Sequence, residues 1–123
     1  MSTNQVVTSI SLAAAADYSA TGQYLFMGID ASGDAVLIAA QGVNAIGVLQ
    51  NDPTAGSAAN VGIHGITKVV AGATITAGNK LTPGADGRAE VAATGDFVIG
   101  WAVTGGADGE IIEMLLTHQD ISA

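Results

Sequence analysis

Four clusters of turn-forming residues divide the chain: Asp30-Ala31-Ser32-Gly33-Asp34, Pro53-Thr54-Ala55-Gly56, Pro83-Gly84-Ala85-Asp86-Gly87 and Gly105-Gly106-Ala107-Asp108-Gly109. Glycine reaches backbone conformations closed to other residues and proline presets one, so each cluster marks a chain reversal. Seventeen glycines in all leave little room for a long helix, because each one inside a helix costs roughly 1 kcal/mol relative to alanine. Short strands are expected between the clusters. Val6, Thr8, Ile10 and Leu12 alternate with Val7, Ser9 and Ser11, which is the two-residue period of a strand. Further strands are predicted over residues 24–29, 35–39, 45–49, 60–63, 66–70, 88–91, 97–103 and 110–116. The run Ala13 to Ala16 allows at most a short helix before Asp17 and Gly22. Strands this short and this evenly spaced give an all-β barrel or sandwich.

The chain also repeats itself. Ala31-Ser32-Gly33-Asp34-Ala35-Val36 lies on Ala85-Asp86-Gly87-Arg88-Ala89-Glu90, and Ala39-Ala40-Gln41-Gly42 on Ala92-Ala93-Thr94-Gly95. The one-residue gap falls before Ala39, and in the same alignment Ile46-Gly47-Val48 faces Ile99-Gly100-Trp101, and Gly56 faces Gly109. Upstream, Gly22-Gln23-Tyr24-Leu25 matches Gly78-Asn79-Lys80-Leu81 more weakly. Two β units, at about residues 20–66 and 76–116, are therefore expected to share one core about a pseudo-twofold, since either alone is too small to bury its apolar face. The resulting organisation is an N-terminal arm, residues 1–12, and a single β domain, residues 13–123.

With 49% hydrophobic but only 4% aromatic residues, the core must be built from Val, Ile, Leu and Ala. A core of that kind gains from further burial in an oligomer. Three basic against eleven acidic residues give a net charge of −8, which repels phosphate and anionic lipid. Neither nucleic acid nor membrane is an expected partner. Cysteine is absent, so disulfides and thiolate chemistry are excluded. Met1-Ser2-Thr3-Asn4-Gln5 lacks the basic start of a signal peptide, and synthesis in the cytoplasm is expected.

The residues that carry chemistry are few and scattered. His64 and His118 are the only imidazoles, in a strand end or turn and in the tail, and both are expected at the surface. Two histidines without cysteine do not make a zinc site. Glu110 and Glu113 stand an odd number of strand positions apart and would face opposite sides rather than share a proton. The acidic turns fall short of a calcium loop, and no phosphate-binding glycine loop or nucleophile elbow occurs. No catalytic, metal or cofactor residue is assigned, and the chain is not read as an enzyme. Trp101 is the only tryptophan, and alternation places it with Phe97, Ile99 and Val103 on one face. That face is either core or interface, tryptophan being enriched at binding hot spots. Tyr18, Tyr24 and Phe26 leave the same two readings open.

Several ordered segments resemble the capsid decoration (cement) proteins of tailed bacteriophages. They are Asp30-Ala31-Ser32-Gly33, Ile46-Gly47-Val48-Leu49-Gln50-Asn51, Thr54-Ala55-Gly56 and Gly65-Ile66-Thr67-Lys68-Val69-Val70-Ala71-Gly72. The likeness continues through Ile75-Thr76-Ala77-Gly78-Asn79-Lys80-Leu81, Ala85-Asp86-Gly87-Arg88, Val98-Ile99-Gly100-Trp101-Ala102 and Gly109 to Leu116. Trp101 departs from the pattern, where a small or aliphatic residue is usual. The resemblance implies a β-barrel or β-tulip-like subunit that assembles as a homotrimer on the outer surface of the mature capsid. There it would bind the major capsid protein and bridge neighbouring capsomers. Val6, Thr8, Ile10 and Leu12 of the arm, with Trp101, are the candidate capsid or subunit interface. The alternative is another virion or surface module, such as a tail, fibre or adhesion domain.

Overall fold

The computed structural model describes residues 7–118, which form nine strands and, among those residues, no helix. β1 (Val7–Ala13), β2 (Phe26–Ile29), β3 (Ala35–Leu37) and β4 (Gly47–Leu49) lead into the long β5 (Ala58–Val70). β6 (Lys80–Pro83), β7 (Ala89–Val91), β8 (Gly100–Ala102) and β9 (Ile111–Leu116) follow. The strands pair antiparallel in one curled sheet, a half-barrel ordered β3-β2-β4-β5-β9-β8-β6-β7, with β1 also on β5. Two features differ from the sequence expectation. Residues 60–63 and 66–70 belong to one strand, kinked where Thr8 stands opposite His64 but Ser9 opposite Gly62. Lys80–Pro83 is a strand although Pro83 reads as the start of a turn; Pro83 is its last residue, opposite Ala89.

The two halves pair residue for residue. Met27 opposite Leu37 and Ile29 opposite Ala35 in the first half correspond to Leu81 opposite Val91 and Pro83 opposite Ala89 in the second. Gly47 faces Met27 as Gly100 faces Leu81, and Leu49 faces Val61 as Ala102 faces Met114. The correspondence reaches further upstream than the sequence match. Leu12 opposite Ala59 and Ile10 opposite Val61 reappear as Val69 opposite Ile112 and Thr67 opposite Met114. β1 is thus to the first half of β5 what the second half of β5 is to β9, and β5 serves both halves. The register also moves the weak upstream match by two residues, placing Tyr24 where the second half has Gly78. Both adopt left-handed backbone, φ 66° at Tyr24 and 92° at Gly78.

The hairpin turns β2–β3 and β6–β7 close alike. Asp30 N donates to Asp34 O in the first and Gly84 N to Arg88 O in the second. Gly33 and Gly87 supply the left-handed residue, with φ 83° and 82°. Their surroundings differ, because nothing lies near a Cβ added at Gly33, whereas one at Gly87 meets Leu37 Cδ1 at 2.8 Å. Gly33→Ala should therefore cost about 1–2 kcal/mol from backbone strain alone, and Gly87→Ala measurably more. Urea denaturation of the two variants checks this; equal losses would contradict the packing of the β6–β7 turn on the first half.

Burial separates two clusters. Tyr18, Met27, Leu49, Ala59 and Val61 form the core of the first half. Val69, Leu81, Ile99, Ile112, Met114 and Leu116 form that of the second, which also takes in Phe26, Ile38, Ala45 and Val48 from the first half. The packing runs one way only: the first half places a row of side chains into the second half's core, and the corresponding row of the second half, Lys80 and Trp101, remains exposed. A twofold would bury both rows or neither, so the halves are stacked head to tail and the pseudo-twofold expected from the repeat does not hold. Thr82 is fully buried in this core and its hydroxyl has no hydrogen-bond partner among the described residues. Thr82→Val removes an unsatisfied oxygen at nearly constant volume and should raise stability by about 1 kcal/mol, read as a higher urea midpoint at unchanged slope.

Candidate functional site

Among the described residues, the ionisable side chains lie apart from one another or brace turns. His64 is exposed on β5, and exposed His118 places Nε2 2.7 Å from Ile63 O, a contact that ties His118 to β5. No three His, Asp or Glu side chains lie close enough among the described residues to hold a metal ion. Glu110 Oε1 accepts from Ala107 N at 2.6 Å and so braces a turn, while half-buried Glu113 lies on β9 opposite Lys68. Asp17 accepts from the hydroxyl and the amide of Ser19, which hold its carboxyl below the ordinary value. These bonds favour the folded loop above the usual carboxylate range and are lost as pH falls through the lowered value. They too are local braces.

Two apolar surfaces stand out instead. The outer face of β8 and β9 presents Trp101, Val103, Ile111 and Leu115, each 38–56% exposed. Trp101 stands directly opposite Leu115, and Leu115 opposite half-buried Ile66 on β5, while half-buried Glu113, opposite Lys68, lies between Leu115 and Ile111 on the same side. Lys80 flanks the face, with its ammonium 5.7 Å from the centre of the Trp101 ring. Clusters of exposed apolar side chains of this kind mark interaction sites on soluble proteins. The second surface is a hollow of about 720 Å³ lined by Ile10, Ile29, Ile46 and Ile63, and by Phe97 and His118 from the second half of the chain.

Two of the candidate interface residues, Ile10 and Trp101, fall on these surfaces. Trp101 is on the outer face, not in the core; the expected alternation from Phe97 to Val103 fails because Val98 and Ile99 are both buried and the strand begins only at Gly100. Ile10 lines the hollow, Leu12 packs against the first core, and Thr8 is exposed on the same strand. Val6 lies outside the described residues. Residues 7–12 belong to β1, paired along β5 of the same chain. Sequence reasoning placed Val103 on the face of Trp101 but missed Ile29, Ile111 and Leu115, because an apolar residue in a strand carries no mark of which side is covered.

The head fiber gp8.5 N base in bacteriophage phi29 superposes on this chain with a TM-score of 0.72, over 96% of this chain and 100% of that one. The two share a fold. At 20% identity the likeness is one of architecture. No protein-family model matches the sequence, and no curated protein does.

Proposed function

We propose that the protein is a structural component of a phage head, a decoration protein that binds the outside of the expanded capsid through the major capsid protein and bridges neighbouring capsomers. The observation that carries this reading is the end-to-end likeness of its fold to a phage head-fibre base. It agrees with the ordered segments that resemble the cement family, and with two surfaces rich in exposed apolar side chains. The net charge of −8 suits a position outside the shell, away from the packaged DNA. The working form is a homotrimer, in which Thr8, Ile10 and Trp101 contribute to subunit or capsid contacts. Many copies act together: a ligand that binds only the expanded shell stabilises it by about 2.7 kcal/mol per site at a hundred times its dissociation constant.

A second reading is favoured by the same fold likeness: a base that attaches a fibre to the head without strengthening it. Both readings predict saturable co-sedimentation with expanded, undecorated heads and none with immature shells. They part on heating, because bridging of capsomers delays DNA release and a fibre base does not. Failure to bind either shell would remove both readings.

A further inference from the structure

The second half has a filled slot whose counterpart in the first half is open. Between β5 and the β6–β7 turn lies a short extended segment, Tyr24 to Phe26, contributed by the first half. Tyr24 O accepts from Val70 N at 3.0 Å, Phe26 N donates to Gly87 O at 2.8 Å, and the Phe26 ring is fully buried. A third bond, from Gly42 N to Pro83 O at 2.9 Å, closes the contact. By register, Val70, Gly87 and Pro83 correspond to Ala13, Gly33 and Ile29. Ala14 N donates to Ser57 O and Ala15 N to Ala35 O, so successive amides point to opposite sides and Ala13 N faces away from β5, as Val70 N faces away from β9. Among the described residues, Ala13 N, Gly33 O and Ile29 O have no backbone partner. The side chains agree. Thr67 and Pro83 are buried beside the filled slot, whereas their counterparts Ile10 and Ile29 are 37% and 52% exposed. A Cβ at Gly87 would meet Leu25 and Leu37, and one at Gly33 meets open space.

We infer that an extended segment of a partner protein lies between β1 and the β2–β3 turn, bonded through its backbone to Ala13 N and Gly33 O, with one large apolar side chain seated in the neighbouring hollow. That hollow, of about 720 Å³, draws its lining from both halves: Ile10, Ile29, Ile46 and Ile63 from the first, Phe97 and His118 from the second. The filled slot sets the spacing. A carbonyl at one residue and an N–H with an aromatic ring two residues later are what Tyr24 and Phe26 supply there. Open backbone groups beside an apolar pocket are a general means of capturing an extended peptide, the backbone giving affinity and the pocket selecting the side chain. Charge narrows the partner further. The β2–β3 turn carries Asp30 and Asp34 where the β6–β7 turn has Gly84 and Arg88, so the segment bears a lysine or arginine next to its apolar residue. The segment comes from another protein, because the row of this chain that corresponds to Phe26 and Val48 is already engaged: the Lys80 ammonium lies over the Trp101 ring. The contact depends on the chemistry of the segment and holds for a shell protein and for a fibre alike.

The probe is a fluorescent synthetic peptide that copies residues 22–28 of this chain with Met27→Lys. The full chain should bind it saturably by fluorescence anisotropy, and hydrogen exchange at the Ala13 amide, followed by NMR, should slow when it binds. Ile10→Asn and Ile29→Asn in the protein, or Phe26→Ala in the peptide, should each weaken binding by about tenfold or more, as for a buried aromatic anchor. Both protein positions are exposed, and a melting curve checks that each variant is folded. Leu115→Asn, on the outer face of β9, should leave binding unchanged. Asp34→Asn should weaken binding of the lysine peptide and spare the same peptide with methionine. A parent that binds no peptide at millimolar concentration, binding that survives both isoleucine changes, or an Ala13 amide whose exchange does not slow would each overturn the inference. So would binding that appears only after residues 1–5 or 119–123 are removed, which would assign the slot to the chain's own ends.

Discussion

Phe26→Ala should lower the free energy of unfolding by about 3–5 kcal/mol, the largest loss from any single truncation in the chain. Phe26 belongs to a strand of the first half, yet its fully buried ring lies in the core of the second. Truncation leaves a cavity where the two halves meet, and the curled sheet cannot collapse onto it because Phe26 N and Ile38 N are both tied by backbone bonds. The melting temperature should fall by some 10–20 °C for a domain of this size. Val91→Ala, on an exposed edge of the same core, provides the contrast and should cost about 0.5 kcal/mol or less. A loss below about 1 kcal/mol at Phe26 would show that the halves are not stacked as described.

The second large effect is expected at two glycines that obey the same rule. A Cβ at Gly47 would run into Gly62 O across the sheet, and one at Gly100 into Leu115 O, the corresponding carbonyl of the other half. Backbone is the obstacle in both cases, so no side-chain rearrangement relieves it. Gly47→Ala and Gly100→Ala should each cost about 3 kcal/mol or more, or prevent folding. Gly56→Ala isolates the remaining penalty, since its φ is 80° with open space around it, and should cost about 1–2 kcal/mol. Guanidinium denaturation of the three variants gives the comparison; similar losses at all three would mean that the close approach of β4 and β8 to their neighbours is not what holds those glycines.

Much of the fold is written in local chemistry. Gly33 and Gly87 mark their hairpins because only their positions need left-handed backbone there, and β9 declares itself by alternation, with Ile112, Met114 and Leu116 buried. The repeated Ile-Gly pair, Ile46-Gly47 and Ile99-Gly100, follows from the shared carbonyl collision. Other features depend on distant contacts and leave no local trace. β6 ends on a proline, and the upstream match slips by two residues because Tyr24 takes a conformation that the second half gives to glycine. The candidate site was legible only in part. Ile10 and Trp101 are visible as apolar residues in strands, but whether such a row is covered depends on the other half: Val48 and Trp101 occupy the same register, one buried and one exposed. A repeat in the sequence does not fix how its two units pack, and here they stack one way.

The fold is shared with the head fiber gp8.5 N base in bacteriophage phi29, and the proposed role on a phage head builds on that likeness. Imaging of expanded, undecorated heads incubated with the purified protein, by cryo-electron microscopy, tests the proposal most directly. Added density is predicted at regular outer-surface positions, three copies to a knob, with immature shells left bare. Expanded heads that remain bare at saturating protein would contradict it.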